Sequence, residues 1–269
     1  MTEGMWASVA QSDEHGPSAV TRAMIEARII PMLALAGREE ETLLLERSSP
    51  GAADGARGVD LDRWADLASA GSLHALRTAT QQLHREGWSE TAVLLDVVAP
   101  VARLVGKDWA EDRRSWLEVT IAVSTLQQLV CALGRERPAP PSCRGAVLLF
   151  AAPGEQHTLS IHVLGEVLRH AGWSAHVEAA LSVEEVVEIV AREPFVMVGM
   201  TVSSEDRMVW TADDVARVQV ASARQGLLFM IGGAVDIFGY AARIRATPCS
   251  DARAAVSMLE GSVFSAPDL

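Results

Sequence analysis

From residue 144 onward, short unbroken apolar runs alternate with segments of helical period, and that alternation leaves few folds open. AVLLFAA (146–152), FVMVGMTV (195–202) and LLFMI (227–231) carry no polar alternation, as strands covered on both faces require. Ser174–Glu178 predicts a further strand. Helices are predicted up to Ala171, near Val183–Arg192 and over Ala212–Arg224, with a weaker strand and a helix closing the chain. Such an order builds a parallel sheet with helices on both faces, an α/β, doubly wound (Rossmann-like) domain spanning 144–269.

The preceding region reads differently. Residues 59–134 have no strand-like alternation. Gly71 and Gly87 punctuate them, and the longest amphipathic pieces are Glu90–Val105 and Arg113–Leu133, which predicts a small helical bundle. Residues 1–58 comprise a polar start, a helical segment and a linker. Met24, Ile25, Ile29, Met32, Leu33 and Leu35 recur at helical spacing between Ser18 and Glu46, with Pro31 kinking or restarting the helix. RSSPGAADGARG (47–58) reads as the linker, and the proline-rich RERPAPPSC (135–143) as the break between bundle and sheet.

Charge narrows the partners. The formal net charge is −12, whereas DNA binding needs cations gathered on one face to displace counterions from phosphate. A protein partner is expected, and no nucleic acid. No continuous apolar run approaches the roughly 20 residues of a membrane span. The amino terminus lacks the basic and apolar regions of a secretory signal. Cys131, Cys143 and Cys249 are too scattered for a metal pair or a disulfide framework. These features point to the cytoplasm.

In an open parallel sheet, ligands sit beyond the carboxyl ends of the strands. PGEQHTLS (153–160) follows the first strand and puts His157 at that edge, with Glu155 as its orienting partner. TVSSE (201–205) brings hydroxyls there at Thr201 and Ser203. Gly232-Gly233 follows the fourth strand, where missing side chains let a flat or bulky group approach the backbone. No nucleophile elbow, P-loop or zinc motif accompanies these loops, so a non-enzymatic role is expected.

The pattern Glu155-x-His157-x-x-Ser160, then Thr201-Val202-Ser203, then Gly232-Gly233 resembles the Asp-x-His-x-x-Gly, Ser-x-Leu, Gly-Gly signature of cobalamin-binding domains. Those domains occur in methionine synthase, corrinoid proteins and light-sensing regulators. The resemblance implies that His157 is the lower ligand to cobalt, with an acidic neighbour fixing its tautomer. It also implies that the displaced nucleotide tail runs into a slot lined by Thr201, Ser203, Gly232 and Gly233. Ser160 departs from the family's glycine and places a side chain where the family leaves room.

Residues 95–120 resemble the cap over the upper face of the corrin, and Trp109 falls where light-sensing members set a tryptophan against the upper ligand. The Glu-His pair those members carry is replaced by Val119 and Thr120. With no DNA-binding head in the plan, the chain is most similar to the PpaA/AerR co-regulators of photosynthesis gene expression. That resemblance implies a light-responsive antirepressor that binds adenosylcobalamin and a DNA-binding transcriptional repressor of the PpsR/CrtJ type. Two other readings stand beside it. One is a haem-binding redox or light sensor of the same architecture; the other is a corrinoid carrier subunit of a methyltransferase.

Overall fold

The computed structural model describes residues 58–136, 144–233 and 237–264. The helical segment expected over 18–46 lies outside the described residues, as does most of each expected break.

Helices come first: α1 (Leu61–Ser69), α2 (Leu73–Arg85), α3 (Glu90–Val93), α4 (Ala99–Ala110) and α5 (Trp116–Glu136). A π turn at Leu94–Val98 joins α3 to α4, and the Ala99 N–H reaches back five residues to the Leu94 carbonyl. Pro100, which has no N–H to give, sits in the next turn, a natural place for the helical ladder to change register. Ser115 and Glu118 cap α5 reciprocally: the Ser115 N–H donates to the carboxylate at 2.7 Å and the Glu118 N–H to the hydroxyl at 3.3 Å. This capping box starts the helix three residues after the expected Arg113.

Asp108 ties the α4–α5 corner to α1. Its carboxylate accepts from Arg113 at 2.9 and 2.6 Å and from Arg114 at 2.8 Å. Arg114 also reaches Ser69 and Asp66 of α1, at 2.9 and 2.7 Å. By length and mean hydropathy (1.4 over Trp116–Arg135) α5 could cross a membrane. Its polar interruptions hide it from a search for continuous apolar runs. Its apolar side goes to the bundle core, where Ala122, Leu126, Leu129, Val130 and Leu133 pack with Leu76, Leu94, Val97 and Val101.

The sheet follows, with strands β1 (Ala146–Ala151), β2 (Ser174–Ala180), β3 (Phe195–Val202), β4 (Leu228–Gly233) and β5 (Thr247–Pro248). They pair in parallel in the order β2-β1-β3-β4-β5. Helices α6 (Leu159–His170), α7 (Val183–Arg192), α8 (Ala212–Ala221), α9 (Ile237–Ile244) and α10 (Ala252–Phe264) connect and close it. All eight residues of β3 are buried, as expected for the central strand of a doubly wound sheet. Leu148, Phe150, Val198, Met200 and Ile231 meet α7, α8 and α9 on one face. Val147, Leu149, Ala151, Met197 and Met230 meet α6 and α10 on the other.

Helix α6 belongs to two cores. Leu159, Val163 and Val167 complete the bundle, while Ile161 and Leu168 pack on the sheet. One helix is therefore the shared layer between the bundle and the sheet's ligand edge.

One expectation needs correction. The end of the chain holds an extra helix: α9 precedes the short β5, because Ile237, Tyr240, Ala241 and Ile244 are buried at helical spacing. His170 and His176 are both half-buried. His170 meets the Glu90 carboxylate at 3.0 Å. His176 lies in β2, edge-on to Phe195.

Candidate functional site at the β1–β3 switch point

In the order 2-1-3-4-5, connections leave in opposite directions from β1 and β3, which opens a crevice beyond their carboxyl ends. The loops after these two strands are bound to each other there. Glu155 is the joint, its side chain only 1% exposed. One carboxylate oxygen accepts the backbone N–H groups of Gln156 and His157, each at 2.7 Å, and faces His157 Nδ1 at 2.8 Å. The other accepts the Ser203 N–H at 2.9 Å and the Ser203 hydroxyl. Burial alone would raise the carboxyl pKa. The hydrogen bonds from His157 and Ser203 outweigh that penalty and hold it at about 2.

The carboxylate, ionised at neutral pH, dictates the histidine's tautomer. Nδ1 must carry the proton it donates to Glu155, so in the neutral ring the lone pair belongs to Nε2. Ser203 Oγ lies 3.1 Å from the same Nδ1. The imidazole is half exposed, at 52%. A fixed ring with a directed nitrogen lone pair at a ligand edge is the arrangement of a metal ligand or a general base.

Thr201 is buried at the end of β3 and pairs in register with Ala151 and Gly232. Its carbonyl accepts the Ala152 N–H at 3.0 Å. By strand parity Thr201 and Gly232 lie on the α6–α10 face of the sheet. There the space beside Gly232 is bounded by the Cys249 carbonyl, 3.4 Å from where a Cβ would stand. At Gly233 a Cβ would fall 1.7 Å from the Val202 carbonyl oxygen, so β4 can end against β3 only as glycine.

Ser160 is exposed in the first turn of α6. Trp109 is half-buried near the end of α4. No hydrogen bond among the described residues joins either of them to Glu155, His157 or Ser203. Val119 packs partly against the bundle core, and Thr120 turns its hydroxyl back to the Trp116 carbonyl at 2.8 Å.

Two neighbours escaped the sequence reading. Gln127 of α5 donates to the Thr158 hydroxyl at 2.9 Å, which fastens the bundle to the residue after His157. Gln127 resembles any polar position on an amphipathic helix, so no local signal marks it; Thr158 is marked only by adjacency. Arg207 ends the 3-10 turn Glu205–Arg207 after β3 and lies over Gly154.

No family model matches the sequence. An uncharacterised 20.5 kDa protein of the bchF–crtJ intergenic region of Rhodobacter capsulatus is 36% identical over 114 residues. The match spans 41% of this chain and 59% of that protein. Among solved structures, the monomethylamine corrinoid protein of Methanosarcina barkeri superposes with a TM-score of 0.59 at 17% identity, covering 74% of this chain and 96% of its own. The chain has the fold of that corrinoid protein. A cobalamin-binding protein from Desulfitobacterium hafniense aligns more loosely, with a TM-score of 0.41 at 15% identity over 76% of this chain and 98% of its own.

Proposed function

We propose that this chain binds a cobalamin, with His157 Nε2 as the lower ligand to cobalt, and serves in the cytoplasm as a light-responsive co-regulator of transcription. The observation that carries the proposal is the Glu155–His157 pair at the switch point: a buried, ionised carboxylate holds Nδ1–H and leaves the lone pair of the neutral ring on Nε2. Among the described residues no three His, Cys, Asp or Glu side chains gather as a metal site. A single imidazole suits a metal whose other ligands would come with a macrocycle. Thr201 and the bare backbone at Gly232 line the α6–α10 side of the same edge, which suits a nucleotide tail entering between sheet and helices.

Adenosylcobalamin would supply a cobalt–carbon bond that visible light cleaves. The protein's part is mechanical. Glu155 keeps the proton on Nδ1, α6 is packed into both cores, and Gln127 fastens α5 to the histidine loop. Repacking of the bundle against α6 is the bistable element that would change a partner-binding surface. The partner is a DNA-binding repressor of the PpsR/CrtJ type, a reading supported by the relative encoded beside crtJ. The fold shared with a monomethylamine corrinoid protein supports a second reading, a corrinoid carrier for methyl transfer.

The test is an absorption spectrum of the purified chain with adenosylcobalamin, before and after illumination, for wild type and His157→Ala. Corrin bands that change with light and a histidine-ligated form absent from the variant are expected. A spectrum without corrin bands, or a Soret band in their place, would overturn the assignment. Co-purification of a repressor only in one light state separates the regulator from the carrier, which would instead be recovered methylated with a methyltransferase.

A further inference from the structure

Arg207 is a cation at the sheet's ligand edge. It follows β3, and its guanidinium lies on the loop after β1: a Cβ on Gly154 would fall 2.1 Å from Nη1. Gly154 adopts φ +79, a left-handed conformation that glycine takes without strain, so the absent side chain is what lets the guanidinium settle on the turn. The side chain is 31% exposed, and among the described residues its ion pair is with Asp206 at 3.5 Å, whose own side chain is 70% exposed. Such an exposed pair compensates little charge. The buried carboxylate nearby, Glu155, already has its donors in the two backbone turns, His157 and Ser203.

A chain of net charge −12 repels anions on average, so an anionic ligand group needs a local cation. Of the groups a cobalamin carries beyond its metal and macrocycle, the acetamides and propionamides are neutral. The phosphodiester joining the macrocycle to the nucleotide is a fixed anion. Arginine matches a phosphate oxygen pair with two parallel N–H donors. Resting on the cobalamin reading above, we propose that Arg207 receives the phosphodiester of the nucleotide loop and thereby selects complete corrinoids over those that lack it.

The experiment measures affinity by spectral titration for three probes, hydroxocobalamin, cobinamide phosphate and cobinamide, against wild type, Arg207→Gln and Arg207→Lys. Wild type is expected to bind both phosphorylated probes at least about tenfold more tightly than cobinamide, the scale of one charge-assisted hydrogen bond. Arg207→Gln should bind cobinamide phosphate no more tightly than cobinamide while its cobinamide affinity and spectrum stay unchanged, which shows an intact loop, and Arg207→Lys should keep part of the preference. Inorganic phosphate at millimolar concentration should not restore tight cobinamide binding. Equal weakening toward all three probes would make Arg207 a brace for the Gly154 turn and overturn the proposal, as would a preference for cobinamide phosphate over cobinamide that survives Arg207→Gln. Binding of free phosphate that is independent of corrinoid would overturn it too. Failure of wild type to bind any of the probes would instead bring down the cobalamin reading itself.

Discussion

Gln127, in the middle of the longest bundle helix, donates a hydrogen bond to the hydroxyl of Thr158, the residue that follows His157. The bundle and the histidine loop are thus joined by a direct polar contact as well as by the packing of α6. Gln127→Ala should leave the bundle core intact and cost about 1 kcal/mol. Its effect should be local: faster amide hydrogen exchange in residues 155–160, with protection in β1 and β3 unchanged. Uniform protection across the loop would mean that α6 packing alone positions it.

Glu155 predicts an acid-sensitive site. Its folded pKa of about 2 lies below the ordinary glutamate value of 4.5, so the unfolded chain takes up the proton first as pH falls. The contribution to stability is complete above about 4.5 and is lost as pH drops toward 2. It is on the order of 3 kcal/mol. Urea unfolding of wild type at pH 7 and pH 3 should show more than half of this loss. Glu155→Gln, which turns an amide NH2 toward donors, should be destabilised at pH 7 and show a flatter profile across the same range.

Neighbouring glycines separate packing from binding. Gly233→Ala forces a Cβ against the Val202 carbonyl and should destabilise the protein by about 1–3 kcal/mol. Gly232→Ala meets only the Cys249 carbonyl at an ordinary 3.4 Å, so its melting temperature should stay near that of wild type. If the bare backbone there admits a nucleotide tail, Gly232→Ala will lose cobalamin affinity without losing stability. Unaltered affinity would remove Gly232 from the site.

Asp108 predicts a structural failure far from the crevice. Removing its carboxylate leaves Arg114, 11% exposed, with only Asp66 and Ser69. Asp108→Ala should lose about 3 kcal/mol in urea unfolding. The loss should be much smaller in Asp108→Ala combined with Arg114→Leu, since the stranded charge is then gone.

The strands were legible because a parallel sheet buries both faces, and β3 matches its apolar run from Phe195 to Val202 residue for residue. His157 and Glu155 were legible because they immediately follow such a run. The extra helix α9 was not: Ile237, Tyr240, Ala241 and Ile244 form a short pattern beside glycines and small residues, and in so few residues helix and strand periods are hard to tell apart. The capping box at Ser115 and Glu118 was present in the sequence, but the apolar periodicity around it drew the helix start too early.

By itself the sequence determined the strand–helix alternation and the edge at which His157 would stand, because both follow from local pattern and chain order. Only the tertiary structure decided what holds that histidine. The N–H and hydroxyl of Ser203 both go to Glu155, and that bond exists because β3 lies beside β1. Gln127 and Arg207 reach the same loop from a bundle helix and from the turn after β3. Such contacts depend on where separate elements pack in space, and the periodicity of a single element carries no record of its neighbours.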